Sequence, residues 1–273
     1  MVSLKLAWCT RTDPGRVRTV NEDAVLAADE IGAVVVADGM GGHNAGAKAA
    51  TMASEETIAF LKRVWPHTPP GLSEVETLLG EAINSAGMSV YRQAQSDARF
   101  HGMGATVVAA VVLAEGVCIA HLGDARAYLL REGKIRAVTR DHSLVEAARV
   151  AGVIGEDQVA ASHNRHLVSR ALGLSFQTEV STQTLETQPG DILLLCSDGL
   201  TDMVDDSDIG LTLHALRQNL PLAANVLITL ARDAGGHDNI TVALLEIKGN
   251  GLEKKDVRGG VLTRLSQFLG VRR

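Results

Sequence analysis

The amino-acid sequence predicts an α+β fold in which antiparallel sheets pack together and pairs of helices cover their outer faces. Three observations predict it: short apolar runs come in clusters, helical stretches come in pairs, and the strand–helix–strand alternation of a parallel sheet is mostly missing. With 273 residues, 46 % apolar and 21 % charged, the chain can bury a substantial core. Only 6 prolines against 27 glycines, with no biased or repeated segment, set aside disordered and collagen-like classes.

Taken in order, runs rich in Val, Ile, Leu and Ala at 24–28 and 33–37 read as strands. Two long helical stretches follow, 45–64 and 73–95, and the spacing Ser73-x-x-Glu76 predicts a capping box at the second. Pro66, Pro69, Pro70 and Gly71 force the break between them. Four further strands are expected at 106–114, 117–120, 126–130 and 135–138. A short helix opens at Ser143-x-x-Glu146 and ends near Gly152. Strands at 178–185 and 192–196, a helix pair at 206–218 and 222–234, and a last strand at 240–247 complete the pattern.

Composition narrows the function. A formal net charge of −6 and only 8 aromatic residues count against nucleic-acid binding, which wants a basic face and stacking rings. Cys9, Cys118 and Cys196 are too few and too dispersed for a disulfide framework or a zinc site, and are expected to be reduced and structural. Residues 1–6 lack a signal-peptide core, and the longest apolar run, 105–114, is too short for a membrane helix, so the expectation is a cytoplasmic protein without a transmembrane segment. Composition shifts at 249–251, which predicts a body over 1–248 and a basic tail over 249–273. The tail carries six basic and two acidic residues, a net +4, leaving −10 on the body. Leu262, Leu265, Phe268 and Leu269 share one face of a possible short helix there; such a tail docks on its own body, frays, or binds a partner or surface.

The acidic residues carry the chemistry. Asp38 follows the run 33–37 and precedes Gly39, Asp198 follows 192–197 and precedes Gly199, and Asp238 stands just before the run 240–243. A lone Asp-Gly is a turn more often than a ligand. Three carboxylates flanking buried-type strands are different: if they converge they repel, and each either takes up a proton or shares a cation. Oxygen donors without matching His or Cys select a hard cation, Mg²⁺ or Mn²⁺. Asp124, between two strands, reads by itself as a hairpin aspartate. Arg18, near Glu22 and Asp23, either grips an anion or forms a surface ion pair. The glycine-rich stretch 39–46 fails the P-loop pattern, and no nucleophile elbow or Cys/His pair offers covalent catalysis.

Seven segments in order resemble the bacterial branch of the metal-dependent PP2C (PPM) serine/threonine phosphatases, from about residue 5 to 248. They are Arg18-Thr-Val-Asn-Glu-Asp23, Val36-Ala-Asp38-Gly39-Met-Gly-Gly-His43, Gly102-Met-Gly-Ala-Thr106, Leu122-Gly-Asp124-Ala-Arg126, Thr139-Arg-Asp-His-Ser143, Ser197-Asp198-Gly199-Leu200 and Asp238-Asn239-Ile-Thr-Val242. The resemblance implies a four-layer αββα sandwich, two antiparallel sheets flanked by pairs of antiparallel helices, with a two-metal centre at one edge. In that centre Asp38 would bridge two Mn²⁺ or Mg²⁺ ions and serve catalysis, the Gly39 carbonyl would bind one of them, and Asp198 and Asp238 the other. Glu22 would act through a metal-bound water, Asp124 would help hold a third metal, and Arg18 would bind the substrate phosphate.

The reaction implied is direct attack on phosphoserine or phosphothreonine by a water or hydroxide bridging the two ions, with no covalent intermediate. Phosphorylated Ser/Thr proteins, a cognate Ser/Thr kinase and its substrates would be the partners of a monomeric enzyme. The competing reading is a silent module of the same fold that binds phosphoproteins; the presence of Asp38, Asp198 and Asp238 weighs against it. One departure stands out. Met40 occupies the place where eukaryotic members carry a histidine that would protonate the leaving oxygen, and the role does not transfer to His43. The stretch 142–175, with Asn164-Arg165-His166, falls where the family has a variable flap beside the site.

Overall fold

The continuous apolar runs become the inner strands of two sheets, because those strands are covered on both faces. The computed structural model describes residues 4–42, 45–65, 70–155 and 167–250. Its strands are β1 (Leu4–Asp13), β2 (Asp23–Ala28), β3 (Ala33–Met40), β4 (Gly104–Leu113), β5 (Gly116–Leu122), β6 (Arg126–Arg131), β7 (Lys134–Ala137), β8 (Ser181–Leu185), β9 (Ile192–Cys196) and β10 (Ile240–Asn250). They form two five-stranded sheets, ordered β1-β10-β9-β6-β7 and β2-β3-β4-β5-β8, in which every neighbouring pair is antiparallel. The helices are α1 (Ala45–Val64), α2 (Leu72–Ser96), α3 (Leu144–Val150), α4 (Asp198–Thr201), α5 (Asp206–Ala215) and α6 (Leu220–Asp233).

Strand alternation assigns each side chain to a layer. In β9, Leu193 and Leu195 join the core between the two sheets, whereas Ile192, Leu194 and Cys196 join the core under α5 and α6. In β3, Val34 and Val36 face between the sheets, whereas Ala33, Val35 and Ala37 pack under α1 and α2. Each buried Leu or Val contributes about 1.5–3 kcal/mol, so such a strand is stabilised from both sides. Helix α1 approaches its sheet closely because it presents alanines, Ala45, Ala49, Ala50 and Ala53, all essentially without exposure. The four layers predicted from clustering and pairing are present.

Several local expectations change. Strand β1 was not among the predicted strands, because its apolar stretch is only the four residues 6–9, followed by the polar run Thr10 to Asp13 at a sheet edge: Leu6 and Trp8 face between the sheets, Ala7 and Cys9 the helix side. The capping box at Ser73 does not form. The chain enters α2 one residue earlier, at Leu72, with the Gly71 carbonyl accepting from the Glu74 and Val75 amides and no side-chain cap. At α3 the predicted cap does form, Ser143 Oγ accepting from the Glu146 amide at 3.1 Å. Strand β8 is shorter than 178–185, and α5 stops at Ala215 rather than 218. The amphipathic tail residues and Asn164-Arg165-His166 lie outside the described residues, as does His43. Among the described residues no helix is long and apolar enough to cross a membrane. All three cysteines are free and buried, as expected.

Candidate metal centre

Register across β2, β3 and β4 places Asp23 opposite Asp38, and Asp38 opposite Thr106. These three share the strand parity of Val25, Val36 and Val108, so they continue the inter-sheet layer at the point where its apolar residues end. The other sheet delivers its own polar residues to the same edge. Buried Ser197, after β9, donates to Asp23 Oδ2 at 2.7 Å and accepts the Thr241 amide at 3.0 Å, tying the two sheets together. Asp198 begins α4, Asp238 stands two residues before β10, and Asp124 sits buried between β5 and β6. Together they line a cavity of about 610 Å³.

The loop from 14 to 22 closes one side. Asn239, 4 % exposed, accepts the Glu22 amide at 2.7 Å and donates to the Pro14 and Val20 carbonyls at 3.1 and 3.0 Å. Arg18 is thereby held at the rim, where its Nη2 donates to Asp238 Oδ2 at 2.8 Å. Glu22 lies against the start of α1: a Cβ on Gly46 would stand 2.6 Å from Glu22 Oε1 and 2.7 Å from the Gly39 carbonyl. Only glycine at 46 lets that carboxylate and that carbonyl approach the helix together.

Among the described residues six carboxylates face this cavity, those of Glu22, Asp38, Asp124, Asp198, Asp202 and Asp238, against a single arginine. Burial pushes the Asp23 carboxyl up to about 7, with Asp198 and Asp238 adding to the rise. Asp124 is pushed up to about 8 by burial and then by Asp198 and Asp141. Asp38 is raised well above the usual carboxylate range by burial and by Asp23, Asp198 and Asp124. Asp23 Oδ1 and Thr106 Oγ1 are buried without a hydrogen-bond partner. Among the described residues no three acidic, histidine or cysteine side chains enclose an ion unaided, and Asp238 instead engages Arg18. An all-oxygen set with this excess of buried negative charge fits a hard divalent cation.

Behind the cavity the 121–142 region is braced. Arg126 forks onto Asp141 at 2.8 and 2.6 Å and reaches the Tyr128 hydroxyl, which donates to Asp206. His121 and His142 stack at 4.6 Å, and His142 Nδ1 accepts the Gly123 amide next to Asp124 at 3.1 Å. Burial, then the neighbouring His121, lowers His142 to about 4.

All the residues expected at the site line this one cavity: Arg18, Glu22, Asp38, Gly39, Asp124, Asp198 and Asp238. Met40 lines it too, as does Val168 from the expected flap region. Sequence reasoning gave no site role to Asp23, Thr106, Asn239, Asp202 or His237. The register of β2, β3 and β4 brings in the first two, and the i+4 spacing from Asp198 signals Asp202. For His237 no sequence signal exists.

A family model described as protein phosphatase 2C matches residues 15–232. A serine/threonine phosphatase stp from Listeria innocua is 40 % identical over 241 residues, 86 % of this chain and 94 % of its own. The crystal structure of the Mycobacterium tuberculosis serine/threonine phosphatase PstP/Ppp superposes with a TM-score of 0.81 at 33 % identity, covering 89 % of this chain and 99 % of that one. A PstP catalytic domain in complex with two manganese ions superposes at 0.76 with 33 % identity, covering 89 % and 99 %.

Proposed function

This chain belongs to the protein phosphatase 2C family and is a protein serine/threonine phosphatase, and from that premise we propose that it hydrolyses its phosphoester by direct attack of water in the cavity at the sheet edge. The observation that carries the reading is the set of six carboxylates that, among the described residues, face one arginine in this cavity, two of them, Asp38 and Asp124, held well above their ordinary ionisation range. Asp38, the Gly39 carbonyl, Asp198 and Asp238 would hold two Mn²⁺ or Mg²⁺ ions, Glu22 acting through water and Asp124 with Asp198 holding a third. Bound there, divalent cations supply positive charge against the phosphate and lower the pKa of water into the neutral range.

The chain's own residues do the rest. Arg18 keeps one nitrogen on Asp238, which pre-positions the guanidinium at the rim and leaves further N–H groups for phosphate oxygens. Asn239 fixes the loop that carries Arg18 and Glu22, so both are in place before substrate arrives. The Ser197–Asp23 bond locks the two sheets at the edge where the carboxylates meet. Phosphomonoester hydrolysis needs a barrier lowering on the order of 20 kcal/mol, which concentrated charge of this kind is suited to provide. The substrates in this reading are phosphoserine and phosphothreonine proteins of the bacterial cytoplasm, including those of a cognate Ser/Thr kinase, and the enzyme acts as a monomer.

The test is hydrolysis of p-nitrophenyl phosphate and a phosphothreonine peptide with Mn²⁺, Mg²⁺ or EDTA. Turnover that EDTA removes, and that Asp38→Asn and Asp198→Asn each reduce at least about a thousandfold, is the expected result. Metal-independent turnover, or full activity in both variants, would overturn it.

A further inference from the structure

A second cavity, of about 440 Å³, shares the 13–18 loop with the first: Asp13 and Arg16 line this one, and Arg18 lines the other. One wall is β1, with Arg11. The other is a single face of α6, with Asn225, Thr229, Arg232 and Asp233 at helical spacing.

Three guanidinium groups meet here. Arg11 donates through Nε to Asn225 Oδ1 at 3.0 Å and through Nη1 to the Thr10 carbonyl at 2.8 Å; both acceptors are neutral, so neither offsets its charge. Arg16 touches Asp233 through Nη2 at 2.6 Å, and Arg232 touches Asp13 through Nη1 at 2.9 Å. Each is a single contact, which leaves part of a planar fork directed to other acceptors. These side chains are about half exposed, 52 % and 44 %. In a chain of net charge −6, a groove with three cationic forks against two carboxylates is a local reversal of sign.

The groove is tied to the catalytic edge. Gly15 has φ +79°, and a Cβ on it would run into the carbonyls of Gly236 and Asp238. The amides of Arg16 and Val17 both donate to the Gly236 carbonyl, at 2.8 and 3.3 Å. This clamp holds Arg16 in the groove while Arg18, two residues on, bonds Asp238. An extended peptide advances about 3.3 Å per residue, so a ligand whose phosphate reaches Arg18 spans to the groove within a few residues.

We propose that this groove binds a second oxyanion of the phosphoprotein, a carboxylate or a further phosphoryl group, carried a few residues from the phosphate that is removed. The enzyme thereby favours acidic or multiply phosphorylated segments. The substrate identity rests on the phosphatase reading; the anion site does not.

The test uses the full-length protein and three phosphothreonine peptides, flanked by neutral residues, by Asp/Glu, or by a second phosphoserine. Arg11→Gln removes the uncompensated cation, and Asn225→Asp sets a carboxylate against it in the same volume. For both variants KM should rise about three- to tenfold on the flanked peptides, with kcat/KM on the neutral peptide and on p-nitrophenyl phosphate unchanged. Arg11→Lys should recover part of the loss, and all variants should melt at the wild-type temperature. A response confined to the phosphoserine-flanked peptide identifies a phosphoryl group as the ligand; a response to both identifies any oxyanion. Equal changes on every substrate, or none on any, overturn the proposal. Fluorescence anisotropy of an unphosphorylated Asp/Glu peptide and of a phosphoserine peptide separates the two readings. Arg11-dependent binding without any hydrolysis leaves the groove standing and refutes the phosphatase mechanism, whereas hydrolysis without Arg11-dependent binding does the opposite.

Discussion

A buried carboxylate surrounded by carboxylates is unstable as a charge, and Asp38 has Asp23, Asp124 and Asp198 around it. In the unfolded chain these groups ionise near 3.8, whereas in the fold Asp23 holds its proton to about 7 and Asp124 to about 8. Between those limits the folded state binds more protons than the unfolded one at these sites, so the stability that Asp23 and Asp124 contribute is full below about pH 4 and is lost as pH rises through about 7 to 8. The metal-free protein should therefore melt at progressively lower temperature from about pH 5 to about pH 8. Divalent cation should flatten that dependence, and Asp38→Asn should flatten it without cation. Thermal unfolding in EDTA and in Mn²⁺ across this range checks the point, and a pH-independent metal-free melting curve would refute it. Asp38, Asp198 and Asp238 were legible because each flanks an apolar run. Asp23 and Thr106 were not, because their place follows from the pairing of β2, β3 and β4.

At the scale of elements, positions depend on a few connecting side chains. Asn239 joins β10 to the 14–22 loop through three hydrogen bonds to main-chain groups more than 200 residues away in sequence. Replacing it with Ala leaves a buried amide and two carbonyls unpaired, at a cost of about 1–3 kcal/mol. Asn239→Ala should lose that much stability in urea unfolding and also raise KM for phosphate esters, because Arg18 and Glu22 sit on the released loop. A stability loss with unchanged kinetics would show that the loop holds its shape without this residue. The two Ser-x-x-Glu helix starts differ in the same way. Ser143 caps α3, but Ser73 lies inside α2, since the chain leaving Pro70 enters the helix at Leu72. The same local spacing has two outcomes because the approach of the preceding chain decides where the first turn begins.

For the whole molecule, the layer between the sheets sets the distance between the carboxylates of β3 and those at β9 and β10. Leu195 lies in that layer with Val34, Val36, Val108 and Leu245, and has no exposure. Leu195→Ala should cost about 2–5 kcal/mol through lost burial and the cavity left behind. Leu222→Ala, at a position 45 % exposed on α6, should stay within about 0.5 kcal/mol. Calorimetry or denaturant unfolding of the two variants checks the contrast, and equal losses would mean that the inter-sheet layer is not the principal core.

By itself the sequence marked Asp38, Asp198 and Asp238 as carboxylates at the ends of apolar runs, and the α+β class of stacked antiparallel sheets under paired helices, since both are written in local composition and periodicity. Only the tertiary structure decided that Asp23 and Thr106 join Asp38 in one row. It alone decided that Arg18 rests on Asp238, 220 residues away, and that Arg11, Arg16 and Arg232 share a groove. These are matters of strand register and sheet stacking. The bonds that fix them close long loops, so no window of neighbouring residues contains both partners.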